Sequence, residues 1–272
     1  MMASLVTDDG AQLYFELEGK DCGKPPLIFI HGWCANLRHW DHQVRFFQDS
    51  HRILRMDRRG MGRSTTPGSG HTPERHAADV AALAQHVGFS NAVVVAHAGG
   101  GPVGVFFCAQ YPTLARAYVM IDSAIMTGFD VEHPTTRAGQ FYAEMMVKLT
   151  GPDNEAYFRA AYTSYFSPHT DPALVRAIVD EACRTPAKVR ADEVRLMAAD
   201  TATLASSMAQ PTLVIAGPWL ADNSPPAVDA ARLKTYFKHL EFARAIGAGH
   251  FVQLEAPEQT NAFMQSFISR LN

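Results

Sequence analysis

The sequence predicts an α/β fold: a mostly parallel central sheet flanked by helices, with a helical cap inserted between two strands. Three observations predict it. Short apolar runs alternate with helix-period segments from about residue 25 onward, the pattern of a parallel sheet covered on both faces. One run, VVVAH at 93–97, passes straight into a glycine triplet and then a helical stretch. The alternation stops at about Asp122 and resumes only after Ala209, with helix-like segments between.

Taken in order, LVTDDGAQLYFELEG at 5–19 has two alternating runs around Asp8-Asp9-Gly10 and predicts a hairpin. PPLIFIHGW is continuously apolar from Leu27 to Ile30, so it is a buried strand ending in a turn. HWDHQVRFFQ predicts a helix and RILRMD a short strand. AADVAALAQHVG predicts a second helix that Gly88 stops. NAVVVAH is a strand, PVGVFFCAQYP a helix after the glycine turn, and RAYVMID the next strand. PTLVIAG and LEFARAI supply the last strands, and EQTNAFMQSFISRL the closing helix. The expected organisation is residues 1–125 as the first part of the core, 126–209 as the cap and 210–272 as the rest of the core.

Composition narrows the function classes. The chain is 47% hydrophobic, 19% charged and 10% aromatic, with net charge -3 and no stretch that gathers Lys and Arg. Nucleic acid and anionic membranes are therefore not expected partners. No apolar run approaches the ~20 residues that span a bilayer. The first residues lack a basic stretch followed by an apolar one, so no signal peptide is expected. Cys22, Cys34, Cys108 and Cys183 match no zinc or redox spacing and read as free thiols of a cytoplasmic protein.

Ligands of parallel sheets bind beyond the carboxyl ends of the strands. Four such ends carry suggestive residues: His31-Gly32-Trp33-Cys34, the stretch 97–101, Asp122, and GAGHF at 247–251. The architecture gathers all four at one edge of the sheet. The triplet Gly99-Gly100-Gly101 has neither G-x-G-x-x-G spacing nor a P-loop lysine, which argues against phosphate binding. Two carboxylates compete as partner for a histidine. Asp122 directly follows an apolar strand, where it would be buried and need a partner; Asp222 stands in the Pro-flanked loop GPWLADNSP, which reads as exposed. Asp122 is the favoured acid and Asp222 the alternative.

With HGW after the buried strand, DRRGMGRS at 57–64, AHAGG at 96–100 and GAGH at 247–250, the chain resembles an α/β-hydrolase-fold protein over essentially its full length. The resemblance implies a nucleophile elbow, a strained strand-to-helix turn that lifts one side chain above the sheet. Its small-x-nucleophile-x-small pattern places Ala98 at the nucleophile position, between Ala96 and Gly100. It implies an oxyanion hole from the amides of Gly99 and Trp33, and His250 as catalytic base.

Ala98 cannot attack a carbonyl, so hydrolysis through an acyl-enzyme is closed to this chain as written. Ser123, beside the acid, alternates to the opposite face, and Ser64 belongs to a remote loop. A His-Asp dyad with oxyanion amides still removes a proton and stabilises the anion formed. A sufficiently electron-rich organic anion passes one electron to dioxygen without metal or flavin.

Gly32-Trp33-Cys34, His97 before the nucleophile position and Asp122 as an early-strand acid make the chain similar to the cofactor-independent 3-hydroxy-4(1H)-quinolone 2,4-dioxygenases. Those enzymes open the heteroaromatic ring and release carbon monoxide, and their elbow serine is not the attacking group. They carry serine where this chain has Ala98. The resemblance implies no cofactor, dioxygen and a small apolar aromatic substrate as partners, and a 2-alkyl-3-hydroxy-4-quinolone of the bacterial signalling type as that substrate.

Two apolar groups in the cap suit a flat ring or simply pack its core: Phe129, Phe141, Tyr142, Met145 and Met146, and Tyr157, Phe158, Tyr162, Tyr165 and Phe166. Trp33, His97, Phe141, Tyr142 and Tyr162 are the expected substrate contacts, although His97 also reads as a packed structural residue. The alternative function is a serine ester or lactone hydrolase whose nucleophile has been replaced by Ala98, by design or by drift. A binding protein without catalysis is disfavoured, because binding alone needs no dyad.

Overall fold

The computed structural model describes residues 2–218 and 230–271. Eight strands form one sheet: β1 (Met2–Val6), β2 (Gln12–Glu18), β3 (Leu27–Ile30), β4 (Ile53–Met56), β5 (Ala92–His97), β6 (Ala115–Ile121), β7 (Thr212–Ala216) and β8 (Leu240–Arg244). Their order across the sheet is β1-β2-β4-β3-β5-β6-β7-β8. The hairpin β1–β2 is antiparallel, as is β2 against β4; the other pairs are parallel.

Parallel inner strands are covered on both faces, and their side chains divide by parity. Leu27 and Phe29 pack with Val93 and Val95 on one face, while Ile28 and Ile30 pack with Val94 and Ala96 on the other. The first face is closed by α1 (Asp41–Phe47) and the C-terminal helix Pro257–Ile268; the second by α2 (Pro73–His86) and α3 (Gly100–Gln110). Thr72 caps α2 by accepting from the Arg75 amide, Pro73 stands at its first turn, and Gly88 ends the stretch at φ +70°.

Five helices lie between β6 and β7 in the chain: α4 (Arg137–Thr150), α5 (Asn154–Thr163), α6 (Pro172–Ala182), α7 (Ala187–Val194) and α8 (Thr201–Ser207). Met145, Leu149, Phe158, Tyr162, Ile178 and Val194 from this segment form a third apolar cluster. Cys34 and Phe251 join it from the sheet side, so the helices are anchored beside the loops that follow β3 and β8.

Three loops at the carboxyl ends of strands carry a non-glycine residue with positive φ: Cys34 (+50°), Ala98 (+48°) and Asp122 (+41°). Such conformations each cost of order 1 kcal/mol and persist where surrounding structure imposes them, most often at functional sites. No helix among the described residues is long and apolar enough to cross a membrane.

Candidate active site

β5 runs into α3 through Ala98 with no room for larger neighbours. The Ala98 amide donates to the Ile121 carbonyl at 3.1 Å, and the Ala98 carbonyl accepts from the Gly101 amide at 2.8 Å and Ser123 Oγ at 2.7 Å. A β-carbon on Gly100 would meet the His31 carbonyl oxygen at 2.6 Å, and one on Gly101 would meet Ser123 Oγ at 2.0 Å. The glycine triplet is thus a requirement of backbone crowding, and the Ser123 hydroxyl is committed to holding the turn.

The loop after β3 lies against this turn. A β-carbon on Gly32 would come within 3.1 Å of the Ala98 methyl, and one on Gly99 within 3.2 Å of the Trp33 nitrogen. Among the described residues neither the Trp33 nor the Gly99 amide has a hydrogen-bond partner in the chain. Two unengaged amides beside residue 98 are thus available as hydrogen-bond donors.

Asp122 directly follows β6 and is fully buried, its amide donating to the Ile215 carbonyl at 2.8 Å. Its Oδ1 accepts from the Gly217 amide at 2.6 Å, and its Oδ2 accepts from His250 Nδ1 at 2.6 Å. The two carboxylate oxygens are thus both partnered, as a buried charge demands. A proton on Nδ1 makes Nε2 the basic nitrogen of the ring. The structure therefore joins His250 to Asp122; the alternative, Asp222, lies outside the described residues.

His250 is also held through its backbone. Its amide donates to the Tyr165 carbonyl at 2.7 Å, and its carbonyl accepts from His97 Nε2 at 2.9 Å. The Tyr165 ring meets the His250 ring edge-on at 5.4 Å. Sequence reasoning did not find the Gly217 amide or the Tyr165 carbonyl, because main-chain donors and acceptors leave no mark in residue type.

Several expected substrate contacts sit elsewhere. His97 is only 1% exposed and spends its Nε2–H on the His250 carbonyl, so it holds that backbone instead of facing a ligand. Tyr162 is likewise 1% exposed, inside the third cluster, and its hydroxyl donates to the Trp33 carbonyl at 3.0 Å. Phe141 is 62% exposed on the outer side of α4 and is not brought to the dyad. Tyr142 is half-buried and stacked on Phe129 at 5.2 Å. Trp33 is half-buried, its indole N–H donating to the Arg190 carbonyl at 2.9 Å and its ring meeting Phe158 edge-on at 5.0 Å.

One group has the composition of a cation site. His71, His76 and Glu193 are buried with donor atoms within 4.8 Å of one another. The Arg58 guanidinium, however, lies 2.8 Å from Glu193 Oε2 and 3.4 Å from His76 Nε2. A dication there would face a fixed positive charge at short range in a dry setting. The residues present do not fit a metal.

Burial pushes the imidazoles of His31, His39, His76 and His97 below their ordinary range, His39 from 6.5 to about 4. These rings stay neutral in the fold at pH values where the unfolded chain takes up protons. The unfolded state then binds more protons, so the stability these four rings contribute is fully present above about pH 6.5 and is lost as pH drops toward 4. His39 alone accounts for about 3 kcal/mol of that loss once the unfolded chain is charged. Thermal melts of the parent and His39→Gln across this window should show the steeper fall in the parent; parallel curves would contradict it.

Residues 25–257 match the family profile described as the alpha/beta hydrolase fold. The chain belongs to that family. The bifunctional esterase/perhydrolase of Acinetobacter calcoaceticus is 36% identical over 128 residues, 46% of this chain and 45% of that protein. The chain therefore matches less than half the length of that relative. The 3-oxoadipate enol-lactonase 2 of Acinetobacter baylyi is 25% identical over 253 residues, 92% of this chain and 90% of that protein. The crystal structure of the enol-lactonase from Burkholderia xenovorans superposes with a TM-score of 0.85 at 20% identity, covering 98% of this chain and 100% of that one. That likeness establishes the fold. The α/β-hydrolase family expected from the sequence is thereby established, but not the narrower dioxygenase branch: these relatives carry hydrolase names and none is named a ring-cleaving dioxygenase.

Proposed function

We propose that this chain carries an ester- or lactone-hydrolase site whose nucleophile position is occupied by Ala98. In this reading His250 is the general base, Asp122 orients it, and the Trp33 and Gly99 amides form the oxyanion hole. The observation that carries it is the 2.6 Å contact between His250 Nδ1 and Asp122 Oδ2 beside an elbow that holds a methyl group at φ +48°. The esterase and enol-lactonase names of the relatives support the substrate class. The parent chain then binds acyl substrates and orients their carbonyl, but forms no acyl-enzyme.

A second reading is favoured by Ala98 itself. A complete base without a nucleophile suits reactions that begin with proton removal alone. Deprotonation of the 3-hydroxyl of a 3-hydroxy-4(1H)-quinolone yields an anion that passes an electron to dioxygen; recombination and ring opening then expel carbon monoxide. His250 takes the proton and the Trp33 and Gly99 amides receive the anionic oxygen.

One paired experiment separates the readings. The parent is mixed with 2-heptyl-3-hydroxy-4(1H)-quinolone while oxygen uptake and headspace carbon monoxide are followed, and parent and Ala98→Ser are run on aryl esters and lactones. Hydrolysis by the variant with no oxygen uptake by the parent is the expected result. Stoichiometric oxygen uptake and carbon monoxide release by the parent would overturn the hydrolase reading and establish the second.

A further inference from the structure

We infer that Glu193, on α7, is a positioning residue that aims the Trp33 amide by fixing Arg58 against the loop after β3. The inference rests on the reading of that amide as an oxyanion donor.

Arg58 is buried, and most of its donors are engaged. Its backbone N–H donates to His31 Nε2 at 2.9 Å, its Nε–H to the His31 carbonyl at 3.0 Å and its Nη2–H to the Gly32 carbonyl at 2.9 Å. Nη1 lies 2.8 Å from Glu193 Oε2. A guanidinium is a rigid planar fork, so the carboxylate that holds one tine sets the direction of the others. The Gly32 carbonyl and the Trp33 N–H belong to one planar trans peptide and point in opposite directions. Anchoring that carbonyl therefore aims that amide.

Glu193 is itself pinned from its other oxygen: His76 Nε2 lies 2.7 Å and His71 Nδ1 3.5 Å from Oε1. Burial raises its carboxyl, but Arg58 and then His76 outweigh this and hold it well below the usual carboxylate range. The same helix grips the loop a second time, because the Arg190 carbonyl receives the Trp33 indole N–H at 2.9 Å. A buried ion pair is weak evidence for stability in itself. Here it connects the helical layer to the peptide beside Ala98, so a displacement of α7 reaches the oxyanion loop directly.

The test uses Glu193→Gln, which keeps shape and removes charge. In the parent background, amide hydrogen exchange of residues 31–36 is expected to quicken on the order of tenfold, while 92–97 and 115–121 stay protected. In the Ala98→Ser background, kcat on an aryl ester is expected to fall about tenfold with KM little changed, and the His250 limb of the pH profile unmoved. If Glu193→Gln does not fold, the apolar pair Arg58→Met/Glu193→Met takes its place and must show the same loosening at 31–36. Unchanged exchange in residues 31–36 overturns the inference in either variant. If Ala98→Ser hydrolyses nothing, the hydrolase reading is lost, and the exchange result still decides the coupling.

Discussion

Ala98→Ser is expected to turn a chain silent toward aryl esters into an esterase, with a gain on the order of 10³-fold or more over the parent. The size follows from what is already in place. A lone serine hydroxyl is a poor nucleophile; a base within reach and amides at the developing oxyanion supply most of the acceleration. The variant adds one oxygen to a side chain that the elbow already holds at φ +48°, so it imposes no backbone conformation the parent lacks. Gly32, which would otherwise bring a β-carbon within 3.1 Å of the Ala98 methyl, keeps that side of the position clear. The check is initial-rate hydrolysis of a series of p-nitrophenyl esters by both proteins at equal concentration.

The second large effect is the loss of that activity with the base. His250→Ala in the Ala98→Ser background should lower kcat on the order of 10⁴-fold, because it removes the base that takes the nucleophile's proton in this reading. Asp122→Asn should cost on the order of 10²–10⁴-fold, since an amide at the Oδ2 position favours the wrong ring tautomer. Binding of a non-hydrolysed substrate analogue should change little in His250→Ala. Asp222→Ala should have little effect. Activity of His250→Ala near its background would remove the general-base role, and a larger loss from Asp222→Ala than from Asp122→Asn would move the acid.

Much of this was legible in the sequence, for identifiable reasons. The sheet was legible because its inner strands are covered on both faces, which writes continuous apolar runs such as Leu27 to Ile30. The elbow was legible because crowding near residue 98 tolerates only small residues. Asp122 could be preferred over Asp222 because a carboxylate at the end of an apolar strand must be buried and partnered.

The surroundings of the dyad were not legible. Aromatic residues at helical spacing do not reveal which face of a helix turns inward, so Phe141 and Tyr162 were grouped with the ligand although one points to solvent and the other props the Trp33 loop. His97 was ambiguous for a related reason: a histidine before the nucleophile position looks the same whether it touches substrate or a carbonyl. The Arg58–Glu193 link joins residues 135 positions apart through a buried ion pair; Arg58 stands in the DRRGMGRS stretch, but nothing near Glu193 in the sequence marks it as the partner.

The measurement that bears most directly on the central claim is intact-protein mass spectrometry after treatment with a fluorophosphonate. Such a reagent reports a serine activated by a base and an oxyanion hole without requiring the natural substrate. One adduct per chain is expected in Ala98→Ser, placed on residue 98 by peptide mapping, with none in the parent and strongly slowed labelling in Ala98→Ser/His250→Ala. A folded Ala98→Ser that takes up no label, or one labelled equally well without His250, would contradict it.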